Sequence, residues 1–197
     1  MISRKCFTSA FKTTVPIMLG YLTCGLAYGL IVINAGYPWY LATLMSLFMF
    51  AGAAQFAAIP LFAANTPLPV ILITEALLNI RHIVYGLPLL SQFKQCGKRK
   101  PYLIYGLTDE TWSLLITAKV PDGIPLSDYF TTITLLDHFY WVAGSTLGAL
   151  IGFLIPFDLT GVDFALTALF VVLLIDQIEK SGDFFPPCPL HGTVFSF

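Results

Sequence analysis

Long apolar stretches follow one another along the chain and set its pattern. They cover residues 15–33, 39–62, 67–90, 102–118, 129–155 and 162–178. A helix needs about 20 residues to span the hydrocarbon core of a bilayer, and only helices and closed barrels satisfy their backbone polar groups there. Membrane β-strands alternate apolar and polar positions over about ten residues, and no such alternation is found here. The pattern therefore predicts an all-α fold, a polytopic bundle of membrane helices.

Composition strengthens this prediction. Hydrophobic residues make up 57% of the 197 residues and charged residues only 11%, whereas soluble domains carry about 25% charge. The mean hydropathy is +0.80. A lipid bilayer is the expected surrounding, and nucleic-acid binding lacks a basic surface beyond one short loop.

The N-terminal region has a competing interpretation as a cleaved signal peptide. Arg4, Lys5 and Lys12 form a basic front before the apolar residues 15–33. That apolar body is longer than a signal core, and further apolar segments follow it. We therefore expect it to be the first membrane helix.

The basic residues predict an orientation and raise a topological conflict. Seven of the ten Lys and Arg lie in residues 1–12 and in the loop at 94–100, so the positive-inside rule makes both regions cytoplasmic. An even number of crossings must then separate them, yet three apolar segments lie between. Either the rule fails here or one segment does not cross. The favoured segment is the second, because "FAGAAQFAAIP" (50–60) is rich in small residues, carries Gln55 and ends on Pro60. Broken or re-entrant helices of this kind line cavities in membranes.

Glycines predict where helices pack closely. "GLAYG" contains Gly25 and Gly29, and "GSTLGALIG" contains Gly144, Gly148 and Gly152. Such small-xxx-small spacing lets two helix backbones approach each other. We assign these glycines to packing rather than to chemistry.

A cluster of polar side chains interrupts the third segment at "EALLNIRHIVYG" (75–86). On one continuous helix Glu75, Asn79, His82 and Gly86 would share a stripe roughly 60° wide. Arg81 would point elsewhere, towards an acid of another helix. Asp109 and Glu110 in the fourth segment and Asp137 in the fifth are the candidate partners.

Such groups are costly in hydrocarbon, by about 2.5–3.5 kcal/mol each on insertion scales, and usually serve a function. The plain alternative is that they form ion pairs that only fix helix register. The chain contains no HExxH, GxSxG or Gly-rich phosphate loop, and its histidines lack metal-ligand spacing. No cofactor or metal is therefore predicted, and an intramembrane enzyme is a poor alternative.

Four motifs stand out along the chain: "FAGAAQFAA" (50–58), "NIRHIVYGL" (79–87), "LTDETW" (107–112) and "FYWVAGSTLGALIG" (139–152). Together they resemble the AzlC-type branched-chain amino acid permeases. The resemblance runs from about residue 10 to 185, in the family's order and spacing. It implies the large subunit of a bacterial exporter of branched-chain amino acids, acting with a small AzlD-like membrane subunit. Gln55, Asn79, Arg81, His82, Asp109 and Glu110 lie in these motifs.

The predicted function is thus ion-coupled export of valine, leucine and isoleucine across the bacterial cytoplasmic membrane, with protons as the expected ion. Arg81 or the end of a broken helix suits the substrate carboxylate, and Glu75, Asp109 or Glu110 suits its ammonium. One of the adjacent acids Asp109 and Glu110 is a candidate proton carrier, because two such acids do not both ionise readily in a low dielectric. A non-transporting assembly subunit is the alternative from another class.

The last residues differ from the rest. Residues 1–185 form the predicted transporter domain, whereas 186–197, "PPCPLHGTVFSF", hold three prolines in their first four positions. Proline cannot continue a helix, and twelve residues are too few to span a bilayer. The resemblance leads one to expect further apolar helices here, so a frameshift or truncation is predicted. The alternative is a naturally short family member with a disordered tail.

Overall fold

The computed structural model describes residues 3–155, and over this range the chain forms eight α-helices and no strand. The helices are α1 (Arg4–Asn34), α2 (Trp39–Phe48), α3 (Gly52–Ala63), α4 (Leu68–Asn79), α5 (Arg81–Lys94), α6 (Lys100–Tyr105), α7 (Asp109–Thr117) and α8 (Leu126–Leu154), with a 3₁₀ turn at Gly97–Arg99. The all-α prediction is confirmed. The predicted segment 162–178 and the tail 186–197 lie outside the described residues.

The two long helices α1 and α8 run side by side in the same direction. Near their starts the Cys6 sulfur lies 3.6 Å from Thr132 Oγ1, and further along Thr14 Oγ1 lies 3.1 Å from Tyr140 Oη. We call the end of the bundle where α1 and α8 begin the near end, and the other the far end.

Glycines set the closeness of this pair. A Cβ on Gly25 would lie 2.8 Å from the backbone nitrogen of Ser145, and one on Gly144 would lie 3.0 Å from the carbonyl oxygen of Leu22. At Gly29 and Gly148 an added Cβ would overlap the facing backbone outright. Gly152 is looser, because its Cβ would meet only the side chains of Leu30 and Ile33. The first four glycines therefore allow backbone contact that no larger residue would permit.

The second apolar segment is broken, as the sequence predicts. Helix α2 ends at Phe48 and α3 begins at Gly52. Between them Phe50 has a positive φ of 38° and Ala51 is extended. Pro60 lies inside α3 and does not end it. The break thus falls just before the stretch of small residues.

The third and fourth segments are interrupted as well, which the sequence analysis did not predict. Helices α4 and α5 meet at a bend of 40°. Helices α6 and α7 are separated by Gly106–Thr108. The expected continuous stripe of Glu75, Asn79, His82 and Gly86 is therefore wrong, because the bend divides these residues between two helices. The bend has a local cause: Asn79 Nδ2 donates to the Glu75 carbonyl, and the Asn79 carbonyl lies 3.1 Å from His82 Nδ1. Such side chains compete with the helical backbone bonds.

Contacts with α8 show the path of the second segment. Thr43 of α2 meets Thr146 towards the far end at 2.8 Å, and the Ser46 carbonyl lies 3.3 Å from His138 Nε2 near the middle. After the break, Phe56 of α3 packs against Tyr28 of α1, with ring centroids 5.4 Å apart. Since Tyr28 lies towards the far end, α2 and α3 form a hairpin that runs from the far end to the middle of the bundle and back.

The fourth segment forms a matching hairpin from the near end. Arg99, just before α6, pairs with Asp128 in the first turn of α8. Thr111 of α7 reaches Asp137 in the middle of α8 at 2.9 Å. The chain then returns, because Lys5 Nζ donates to the Asp122 carbonyl over 3.2 Å.

Length and composition identify membrane-crossing candidates among the described helices. Arg4–Asn34 is long and apolar enough alone, and Leu68–Asn79 with Arg81–Lys94 qualify as a bent pair. Helix α8 has 29 residues, which is of spanning length, but it carries buried polar side chains such as Asp137 and Thr134 along its inner face.

Candidate functional site

The break between α2 and α3 and the break between α6 and α7 lie next to each other beside the middle of α8. Tyr105 Oη, at the end of α6, donates to the Leu47 carbonyl of α2 over 2.7 Å. The ring centroids of Phe50 and His138 lie 4.3 Å apart. Gly106 packs so closely on Thr134 that an added Cβ would overlap its methyl group. The ends of both hairpins are thus held together inside the bundle, a position typical of transport sites.

A chain of buried hydroxyl groups links two carboxyl groups at this point. Tyr21 Oη lies 2.9 Å from Glu110 Oε2 and 2.6 Å from Thr108 Oγ1. Thr108 Oγ1 donates to Thr111 Oγ1 over 3.0 Å, and Thr111 donates to Asp137 Oδ2 over 2.9 Å. We call Tyr21, Thr108 and Thr111 the hydroxyl chain. It connects α1, α7 and α8 through polar groups rather than apolar contacts.

The start of α7 explains this arrangement. Thr108 is the N-cap, and its Oγ1 accepts the backbone N–H of Thr111 over 3.2 Å. Asp109 and Glu110 lie in the first turn, where the exposed N–H groups of a helix favour negative charge.

Arg81 forms an ion pair with Asp109. Its Nη1 lies 2.6 Å from Asp109 Oδ2, which joins the start of α5 to the start of α7. The pair uses only part of each group: Arg81 Nε and Asp109 Oδ1 are buried without a hydrogen-bond partner among the described residues. Beside it, the rings of Tyr85 and Trp112 stack with centroids 5.3 Å apart.

Gln55 belongs to a different part of the interior. Its Nε2 donates to Ser46 Oγ over 3.0 Å, and its Oε1 accepts Trp141 Nε1 over 2.8 Å. The side chain is fully buried. Gln55 therefore joins both halves of the broken second segment to α8, through one donor and one acceptor of its amide.

The remaining candidates lie on α4 and at the start of α5. Asn79 and His82 contact the backbone at the bend, as described above. Both carboxylate oxygens of Glu75 are buried without a partner in residues 3–155. Within the same range, no group of three or more His, Cys, Asp or Glu could hold a metal ion.

The hydroxyl chain was not predicted from the sequence. A tyrosine and two threonines carry no charge, so they are not recognisable as functional residues in an apolar segment. Two spacings nevertheless hint at it. Tyr21 precedes Gly25 by four residues, which places it on the packing face of α1, and Thr108 and Thr111 are three residues apart across an N-cap.

Fold and site together define a polytopic helical membrane protein with broken helices and buried ionisable groups at its centre. The sequence profile of the AzlC protein family matches residues 16–155. The chain belongs to this family.

Named relatives agree with this assignment. A membrane protein of Helicobacter pylori is 41% identical over 177 residues, which are 90% of this chain and 78% of that protein. The branched-chain amino acid transport protein AzlC of Bacillus subtilis is 39% identical over 175 residues, 88% of this chain and 68% of that protein. The inner membrane protein YgaZ of Escherichia coli is 28% identical over 195 residues, 95% of this chain and 80% of that protein. No solved structure matches the chain.

Proposed function

We propose that this chain is the large subunit of a bacterial exporter of valine, leucine and isoleucine. Its family and its similarity to the Bacillus subtilis transport protein support this assignment. The observation on which the proposal rests is the partly used ion pair between Arg81 and Asp109.

The pair matches the charges that all free amino acids share. A substrate zwitterion carries one carboxylate and one ammonium. Arg81 Nε has a hydrogen to donate, and Asp109 Oδ1 has lone pairs to accept. The carboxylate binds to Arg81 and the ammonium to Asp109, so that the substrate completes bonds that the two side chains leave open. The Tyr85 and Trp112 rings beside the pair supply apolar surface for a branched side chain.

Ion-coupled export accounts for the rest of the proposal. The sequence contains no Gly-rich phosphate loop, so an ion gradient rather than ATP drives transport, and protons are the proposed ion. The protein acts in the cytoplasmic membrane together with a small AzlD-like subunit.

Transport of labelled valine in liposomes tests this proposal. The purified chain is reconstituted with and without a candidate small subunit, and valine flux is measured under an imposed pH gradient of either sign. We expect valine flux when both subunits are present. The net movement of valine should be away from the cytoplasmic face of the protein. Absence of valine flux from the complete complex would contradict the proposal and favour an assembly subunit.

Two matched arginine variants test the role of the ion pair. Arg81→Lys keeps the charge but loses the planar fork, so we expect valine flux to fall by about tenfold or more. Arg99→Lys is the control, since Arg99 also pairs with an aspartate, Asp128, but at the near end of the bundle. It should transport normally. Equal losses in both variants would mean that the effect is not specific to a substrate site.

A further inference from the structure

The hydroxyl chain contains more hydrogen bonds than its hydroxyl groups can supply. Its four oxygen–oxygen contacts join Glu110 to Tyr21, Tyr21 to Thr108, Thr108 to Thr111 and Thr111 to Asp137, at 2.9, 2.6, 3.0 and 2.9 Å. Each contact lies within the usual O–H···O distance, and if all four are hydrogen bonds, each needs a hydrogen between its two oxygens. A hydroxyl group has one hydrogen, so the three hydroxyls supply three. The fourth must come from a carboxyl group.

Among the described residues no other group places a hydrogen between these oxygens. The backbone N–H of Thr111 also bonds to Thr108 Oγ1, but it does not lie between any of the four pairs. Glu110 and Asp137 are the two ends of the chain, and a carboxylate has no hydrogen to give. A fully hydrogen-bonded chain therefore needs a proton on one of these two carboxyl groups.

The electrostatic surroundings agree with a single negative charge on the pair. Among residues 3–155 the ion pairs are Arg81–Asp109 and Arg99–Asp128, so Glu110 and Asp137 have no cationic partner. Asp137 is fully buried, and its Oδ1 has no partner among the described residues. Two unpaired carboxylates in such surroundings would be costly, whereas one proton shared between them removes a charge.

The neighbouring titratable groups do not take over this role. Asp109 is next to Glu110 but is paired with Arg81. Cys24 of α1 is near enough to Glu110 to interact with its charge, as Tyr102 of α6 and Tyr140 of α8 are with Asp137. His138 adjoins Asp137, but its ring nitrogens face Tyr102 Oη and the Ser46 carbonyl.

We propose that Glu110 and Asp137 share one proton through the hydroxyl chain and together form the proton-binding site of the transporter. This inference rests on the proposed function and selects Glu110, rather than Asp109, as the proton carrier.

Transfer along the chain conserves every atom. In one arrangement of the hydrogens the extra proton lies on Glu110, which donates to Tyr21, while Tyr21 donates to Thr108, Thr108 to Thr111 and Thr111 to Asp137. When Glu110 gives it to Tyr21, the Tyr21 hydrogen passes to Thr108, that of Thr108 to Thr111 and that of Thr111 to Asp137. Four O–H bonds break and four form, with no oxidation or reduction. The proton has then moved from the α7 end to the α8 end.

Infrared spectroscopy of the purified full chain in lipid tests this without any transport measurement. A protonated carboxyl group has a carbonyl band that a carboxylate lacks and that shifts in heavy water. We expect Glu110→Gln and Asp137→Asn each to remove the same band, corresponding to one acid. The new amide donates the fourth hydrogen, so the remaining carboxyl group ionises. Glu75→Gln is the control for a buried acid outside the chain, and this band should survive it.

The alternatives give different spectra. Two independent acids would lose half of the signal in each variant, and two carboxylates would show no band that responds to either change. Both results would overturn the shared proton even if valine transport were normal. If the band behaves as expected but valine is not moved, the shared proton stands and the proposed function fails.

Cutting the chain at a hydroxyl provides a second test. Tyr21→Phe keeps the ring that packs on Trp141, with centroids 5.4 Å apart, and Thr111→Val cuts a different link. Each should abolish the proton movement that accompanies valine flux, as followed with a pH-sensitive dye. The matched control is Thr134→Val, because among residues 3–155 the Thr134 hydroxyl bonds only to the Phe130 carbonyl of its own helix. Normal proton movement in both cut variants would contradict the proposal.

Discussion

Asp109 and Glu110 are neighbours in the sequence, but their side chains contact different helices. Asp109 reaches Arg81 of α5, whereas Glu110 reaches Tyr21 of α1. Successive residues of a helix point about 100° apart, so one turn of α7 serves two sites. This separation allows one acid to bind substrate while the other exchanges a proton.

Removing both acids should abolish export without unfolding the protein. In Asp109→Asn with Glu110→Gln the side chains keep their shape, and amides are less costly to bury than carboxylates. We expect normal amounts in the membrane and no valine flux.

Of the single changes, Asp109→Asn should raise the valine concentration needed for half-maximal flux, and Glu110→Gln should leave flux that no longer responds to a pH gradient. Asp128→Asn serves as the control, because Asp128 also pairs with an arginine, Arg99, but at the near end of the bundle rather than beside the proposed substrate site. Normal export by the double variant would refute both assignments.

Charged side chains could be predicted from the sequence, but the hydroxyl chain could not. An unpaired arginine in an apolar segment must find an acid, and the sequence narrowed its partner to Asp109, Glu110 or Asp137. Which of these acids meets Arg81 depends on how α7 is rotated relative to α5. That rotation is set by tertiary packing and cannot be predicted from the sequence. Tyr21, Thr108 and Thr111 come from two distant parts of the chain, and only the fold brings their hydroxyls together.

At the level of the elements, three of the apolar segments consist of two helices each. The sequence predicted the break of the second segment from the even number of crossings that the positive charges require and from Gln55, Gly52 and Pro60 in this segment. It did not predict the bend at Ile80 or the break at Gly106–Thr108. Apolar composition alone does not specify helix continuity. The interruption at 106–108 depends on the N-cap Thr108 and on close packing of Gly106 against Thr134.

The α1–α8 contact should be sensitive to one methyl group. Gly29→Ala places a Cβ into the backbone of Ser145 and Ala149, so we expect a loss of about 1–3 kcal/mol in unfolding free energy. Gly20→Ala is the matched control on the same helix, because nothing lies within 4 Å of its added Cβ. Alanine favours helix over glycine, so this variant should be as stable as the wild type or slightly more so. Thermal unfolding in detergent measures both, and equal midpoints would contradict the close packing.

For the whole molecule, the two hairpins resolve the conflict between the positive charges and the number of segments. Helices α2 and α3 enter and return from the far end, and α6 and α7 from the near end. Within residues 3–155, α1, the α4–α5 pair and α8 are then the parts that pass between the two ends. The basic residues 4–12 and 94–100 fall at the same end, because Lys5 contacts Asp122 and Arg99 contacts Asp128, both close to the start of α8. With these basic residues on the cytoplasmic side, the described part of the chain agrees with the positive-inside rule.

Labelling of single cysteines from one side of the membrane tests this topology. Cys6, Cys24, Cys96 and Cys188 are first replaced, and one exposed residue in each connection becomes cysteine: Asn34, Ala64, Lys98 or Lys119. With two hairpins, a membrane-impermeant thiol reagent outside the cell should label positions 34 and 64 but not 98 and 119. If every segment crossed instead, position 64 would be cytoplasmic and position 98 external. Positions 34 and 119 have the same side in both topologies and therefore control for orientation and leakage. Labelling of Lys98→Cys from outside, with Ala64→Cys protected, would exclude the hairpins and the shared position of the two helix breaks that the proposed transport site requires.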